Sequence, residues 1–152
     1  MRGKRITDEP GSQEWGISKG QSQFPKSRAI VVDDEPIMVR VIHSMLTRIG
    51  FTVDKAGDGL EAKALLERAS YELVVTDFRM PRLNGYELAK LIKEQYNGTV
   101  VVMITGSSLK EVTKSGVYPG PLDAWLFKPF DHLEFIDLVT VLTSLPGEKE
   151  PC

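Results

Sequence analysis

The sequence predicts an α/β fold on a five-stranded parallel sheet, and three observations carry that reading. Short apolar runs alternate along the chain with segments whose apolar residues recur at helical spacing. The first run, Ala29-Ile30-Val31-Val32, is continuously apolar, as a strand covered on both faces must be. The runs end on polar residues, and in parallel sheets that edge is where ligands bind.

The elements follow in order. Arg28–Asp33 reads as the first strand. Pro36 suits the first turn of a helix, and Ile37, Val41, Met45 and Ile49 then recur every four residues, flanked by Met38, Ile42 and Leu46, up to a stop at Gly50. Phe51–Ala56 is a short strand. Leu60–Ala69 is a helix with Ala62, Leu65, Leu66 and Ala69 facing inward. Glu72–Asp77 is the third strand. Gly85–Tyr96 is a helix with Leu88, Ala89, Leu91 and Ile92 apolar and Glu87, Lys90, Lys93 and Glu94 exposed. Thr99–Thr105 and Ala124–Lys128 are the last strands. Between them, Leu109–Lys114 supports one or two helical turns, which Gly116, Pro119, Gly120 and Pro121 prevent from lengthening. Asp131 with Glu134 resembles a capping box opening a final helix to about Ser144.

The 152 residues suit one domain, and 41% hydrophobic with 26% charged residues are globular values. Residues 1–27 are rich in Gly, Pro, Ser and Gln, lack hydrophobic periodicity and are net basic, whereas the body is net acidic. They read as a flexible tail, or as a contact arm around Trp15. Residues 146–152 read as a second tail, leaving 28–145 as the domain. Few residues follow the last helix, so an output domain is not expected and the protein reads as stand-alone. The net charge of -2 gives no general argument for nucleic-acid binding, and no apolar run is long enough to insert in a membrane. The lone cysteine, Cys152, cannot build a disulfide framework and fits a reducing cytosol.

The strand ends carry the chemistry. Asp33 and Asp34 close the first strand, Asp77 the third, Thr105 the fourth and Lys128 the fifth. Crowded carboxylates repel, and a hard divalent cation such as Mg²⁺ relieves them through oxygen ligands. A nearby ammonium neutralises further negative charge, and a small hydroxyl hydrogen-bonds an oxyanion. The set reads as a site for a transferred phosphoryl group with an aspartate as nucleophile.

Four segments then resemble one family. Ile-Val-Val-Asp33-Asp34-Glu35-Pro36, Val-Val-Thr-Asp77-Phe-Arg-Met80-Pro81-Arg-Leu-Asn84-Gly85, Met-Ile-Thr105-Gly106 and Trp125-Leu-Phe-Lys128-Pro129-Phe130 look like a CheY-type response-regulator receiver domain over about residues 28–145. The resemblance implies a flavodoxin-like doubly wound sheet of order 2-1-3-4-5 with helices on both faces. It implies Asp77 as phosphoacceptor, and Mg²⁺ held by Asp34, Asp77 and the backbone carbonyl of Arg79, with Asp33 acting through a metal-bound water. It further implies that Lys128 pairs with the phosphoryl group, that Thr105 moves to hydrogen-bond it, that Trp125 is an aromatic switch, and that the Lys128–Pro129 bond is cis. The implied donor is a sensor histidine kinase or a histidine phosphotransfer protein, with an unidentified protein target downstream and no catalytic turnover beyond the domain's own phosphorylation.

Plainer readings exist for each residue. Asp33 and Asp34 could cap the following helix, Asp77 could serve a turn, Thr105 and Lys128 could be ordinary strand ends, and Trp125 could be simple packing. His43 and His132 have no partner cluster and read as structural, and Met38, Met45, Met80 and Met103 as core fillers. Competing functions are a phosphorelay intermediate, a binding module that is never phosphorylated, and an aspartate-nucleophile phosphatase. The last usually has a second aspartate two residues after the first, where this chain has Arg79.

Overall fold

The computed structural model describes residues 27–149, with the backbone alone for 145–149. The expected N-terminal tail, Trp15 included, lies outside the described residues except for Ser27, as do residues 150–152. The elements are β1 (Arg28–Val32), α1 (Pro36–Arg48), β2 (Thr52–Ala56), α2 (Gly59–Leu66), β3 (Leu73–Asp77), α3 (Gly85–Gln95), β4 (Val100–Thr105), α4 (Leu109–Lys114), β5 (Ala124–Phe127) and α5 (His132–Lys149). All neighbouring strands pair in parallel, in the order β2-β1-β3-β4-β5 that the resemblance implies.

Two-residue side-chain alternation divides the strands between two cores. Ala29, Val31, Leu73, Val75, Val102 and Ile104 point to one face, against Val39, Ile42 and Leu46 of α1 and Phe135 and Val139 of α5. Ile30, Val32, Val74, Val101 and Met103 point to the other, against Ala62 and Leu66 of α2 and Leu88, Ala89 and Ile92 of α3. Each of the buried Val, Leu, Ile, Met and Phe side chains contributes about 1.5–3 kcal/mol. Burial on both faces explains why the central strands are apolar runs without polar alternation.

Four details differ from the sequence reading. On α1 the buried residues are Val39, Ile42, Met45 and Leu46, while Ile37 is 72% and Val41 46% exposed. Strict four-residue spacing drifts by about 40° per step around a helix of 3.6 residues per turn, so it cannot stay on one face. Secondly, α2 begins at Gly59 because Asp58 caps it, accepting from the Glu61 N–H at 2.9 Å. It ends at Leu66, where Arg68 and Ala69 both turn back to the Leu65 carbonyl. Thirdly, α5 runs to Lys149 and not Ser144, so residues 146–149 are helical and not a tail. A proline removes one backbone donor, yet its fixed φ is helical, and the backbone continues past Pro146. Lastly, the strands close a residue early at Val32 and Phe127, although Asp33 N–H still reaches the Ala56 carbonyl (3.1 Å) and Lys128 N–H the Thr105 carbonyl (2.8 Å).

The expected brevity of α4 holds: it spans six residues. The Ser108–Glu111 and Asp131–Glu134 pairs form reciprocal caps at α4 and α5, and Asn84–Glu87 does so at α3. No helix among the described residues is long and apolar enough to cross a membrane.

Candidate functional site

Parallel pairing brings the carboxyl ends of β1, β3, β4 and β5 to one edge. In register, Val32 faces Thr76, Asp77 faces Ile104 and Thr105 faces Phe127. The next residue along β1 and β5 is then Asp33 and Lys128. Five residues separated by up to 95 positions therefore meet because the ladder is parallel, with no local contact required.

Asp33, Asp34 and Asp77 each present one carboxylate oxygen within 4.8 Å of the others. Asp33 is buried and accepts from the Glu35 N–H at 2.9 Å, Asp77 is half-buried, and Asp34 is exposed. Lys128 Nζ stands 3.5 Å from Asp77 Oδ1. Burial pushes the Asp33 carboxyl up to about 6, helped by the charge of Asp77 and opposed by the Glu35 N–H and Lys128. Burial also raises Asp77, opposed by Lys128 and the Phe78 N–H. Ionised, the three carboxylates face one ammonium, which leaves two negative charges unbalanced at a partly desolvated edge. The donor set is all oxygen, so it suits a hard divalent cation such as Mg²⁺.

Thr105 is buried, and its Oγ1 accepts from the Ser107 N–H at 3.0 Å, which leaves the hydroxyl proton to be offered elsewhere. Asp77, Thr105 and Lys128 line a cavity of about 350 Å³ together with Arg79, Gly106, Ser107, Glu35 and Glu111. Arg79 is exposed and lays its guanidinium over the Phe78 ring, 5.3 Å from the centroid. The Lys128–Pro129 bond is cis, as implied, and so is Tyr118–Pro119, which the sequence reading did not anticipate.

Trp125 sits on β5 away from the carboxylates. Its indole N–H donates to the Pro119 carbonyl at 2.8 Å, and its ring meets Phe78 edge-on at 5.6 Å, one residue past Asp77. His43 and His132 take no part in the acidic cluster, and Met45, Met80 and Met103 are buried in the cores.

The sequence reading missed Asp58 and Arg82. Asp58 is 2% exposed and forms an ion pair with Arg82. Arg82 has a φ of 67°, which costs a non-glycine residue about 1–2 kcal/mol. The Asp-x-x-Glu spacing of Asp58 and Glu61 was the legible signal for the cap, but the ion pair left none, since its residues belong to different loops.

The response regulator receiver domain model matches residues 29–140. The transcriptional regulatory protein TcrA of Mycobacterium tuberculosis is 35% identical over 104 residues, covering 68% of this chain and 41% of TcrA. The chain thus spans well under half of that relative's length. Chemotaxis protein CheY-3 of Vibrio cholerae is 32% identical over 106 residues, covering 68% of this chain and 81% of CheY-3. Among solved structures, the response regulator TrrA of Thermotoga maritima, in complex with Mg²⁺-BeF, superposes with a TM-score of 0.68 at 28% identity, over 76% of this chain and 98% of TrrA.

Proposed function

Because the chain belongs to the response regulator receiver domain family, we propose that it accepts a phosphoryl group on Asp77 and signals through the change in shape that follows. The observation that carries this reading is the charge imbalance at the sheet edge: three carboxylates gathered within 4.8 Å of one another with one ammonium beside them, and Asp77 sharing a cavity with that ammonium and the Thr105 hydroxyl.

In this reading Asp34, Asp77 and the backbone carbonyl of Arg79 would hold Mg²⁺, with Asp33 contributing through a bound water. Bound there, Mg²⁺ would neutralise the carboxylates and the incoming phosphoryl oxygens. An Asp77 carboxylate oxygen attacks phosphorus, an acyl phosphate bond forms, and the phosphorus–nitrogen bond of a donor phosphohistidine breaks as its imidazole nitrogen takes up a proton. Lys128 trades its partner from the Asp77 carboxylate to the phosphoryl oxygens. Thr105 gives up its acceptor bond with Ser107 and donates its proton to the same group. Withdrawal of Thr105 opens space beside β5, into which Trp125 turns, and this coupling shifts a two-state equilibrium at the β4–β5 surface.

The donor is a sensor histidine kinase or a histidine phosphotransfer protein, the output is a protein partner, and the setting is the cytoplasm. The family match supports the donor assignment, and the Mg²⁺ complex of TrrA supports the choice of cation. In this reading the domain carries no turnover beyond its own phosphorylation and dephosphorylation.

The test is incubation with a small-molecule phosphodonor and Mg²⁺, followed by intact mass. The wild type gains one phosphoryl group, and Asp77→Ala gains none. An unchanged wild-type mass, or an equal gain in the variant, refutes the reading.

A further inference from the structure

The segment between β3 and α3, residues 78–84, carries the Arg79 carbonyl and is held at several points. Phe78 is tied by its N–H to the Ile104 carbonyl (3.0 Å) and by its own carbonyl to the Gly85 N–H (3.0 Å). Met80 is buried. Beyond them the segment leans on the N-terminus of α2. A Cβ added at Gly59 would stand 2.3 Å from the Leu83 carbonyl oxygen, so the two backbones meet where only a glycine fits. Next to this contact, Arg82 adopts the left-handed conformation at φ 67° and forms its ion pair with Asp58.

These observations are independent and concern one junction. Glycine or asparagine would satisfy the backbone at position 82 with less strain. An arginine there returns something only through its side chain, and its partner is a carboxylate 2% exposed. Asp58 already spends one oxygen, Oδ1, on the α2 cap, while Arg82 takes the other, Oδ2. Arg82 itself is 60% exposed, so it packs no core that would explain its presence.

We propose that Arg82 is a positioning residue for the metal-binding segment: its ion pair with Asp58 fixes residues 78–84 against α2 and so sets the Arg79 carbonyl where a divalent cation would meet it. The proposal rests on the Mg²⁺ site inferred above and deepens it by naming what aligns one of its ligands. Groups that orient metal ligands from outside the coordination sphere govern affinity without touching the ion.

The test is calorimetric titration of the full chain with Mg²⁺. Arg82→Asn tolerates the left-handed backbone, with less strain than arginine, and removes the guanidinium. Asp58→Asn retains a capping oxygen and removes the other charge. Each single variant is expected to bind Mg²⁺ about tenfold more weakly, the lower end for outer-shell groups. The double variant is expected to lose no more than either single one, and Arg82→Lys to recover most of the affinity. Thermal unfolding without metal, run in parallel, separates the alternatives. Variants that lower Tm but bind Mg²⁺ like the wild type overturn the assignment and leave Arg82 a structural tie. Additive losses in the double variant overturn the ion pair as the agent. A wild type that binds no Mg²⁺ overturns the site reading itself and this inference with it.

Discussion

Gly85→Ala isolates how closely the phosphoacceptor is built in. Gly85 opens α3, and a Cβ there would lie 2.2 Å from the Asp77 carbonyl oxygen and 2.7 Å from Met103 Sδ. Real Cβ contacts essentially never fall under 3.0 Å, so going from 2.2 to 3.0 Å requires at least 0.8 Å of movement. The nearest obstacle is backbone at the end of β3, which cannot swing aside as a side chain can. Overpacking of this kind costs about 1–3 kcal/mol. The displacement falls on the reacting residue, and a shift approaching 1 Å costs roughly a hundredfold in rate. The assay is the rate of mass gain from a small phosphodonor at saturating Mg²⁺, with urea midpoints alongside. Gly106→Ala is the control, because a Cβ at Gly106 meets nothing within 4 Å and the backbone there is not left-handed. Phosphorylation of Gly85→Ala at the wild-type rate, or an equal loss in Gly106→Ala, refutes the reasoning.

Phe135→Ala empties a fully buried position where α5 meets the sheet, and it should cost about 3–5 kcal/mol in urea unfolding. A loss under 1 kcal/mol would mean that α5 is not seated as described. The raised Asp33 carboxyl, at about 6 against 3.8 for a free one, makes the metal-free protein bind this proton more tightly folded than unfolded. Its stabilising contribution is therefore complete below about pH 4 and is lost as pH rises through about 6, by about 3 kcal/mol for a two-unit shift. Urea midpoints from pH 4 to 7 for wild type and Asp33→Asn should diverge across that window, and parallel curves would rule the effect out.

Most of the architecture was legible because burial on both faces writes itself into the strands as unbroken apolar runs, as at Ile30–Val32 and Val101–Ile104. The site residues were legible for a related reason. Asp33, Asp77, Thr105 and Lys128 end those runs, and parallel pairing alone collects strand ends. Less visible was anything set by contact between distant loops. Nothing near Arg82 in the chain announces Asp58, and nothing near Trp125 announces that its indole N–H meets the Pro119 carbonyl. Which side of α1 faces inward was not legible, because apolar residues in Pro36–Arg48 stand on both its buried and its exposed side. The end of α5 was misplaced because Pro146 and Gly147 suggest a stop that the backbone does not make.

That doubled apolar character of α1 has a consequence. Val39, Ile42 and Leu46 answer to the sheet, so their size and shape are fixed by what they must fill. Ile37 and Val41, 72% and 46% exposed, are not among the residues that fill the core of the described structure. One helix thus holds two interleaved sets of positions under separate constraints. The outward set is free to change from one descendant to the next without disturbing how the chain folds, while the inward set resists such change.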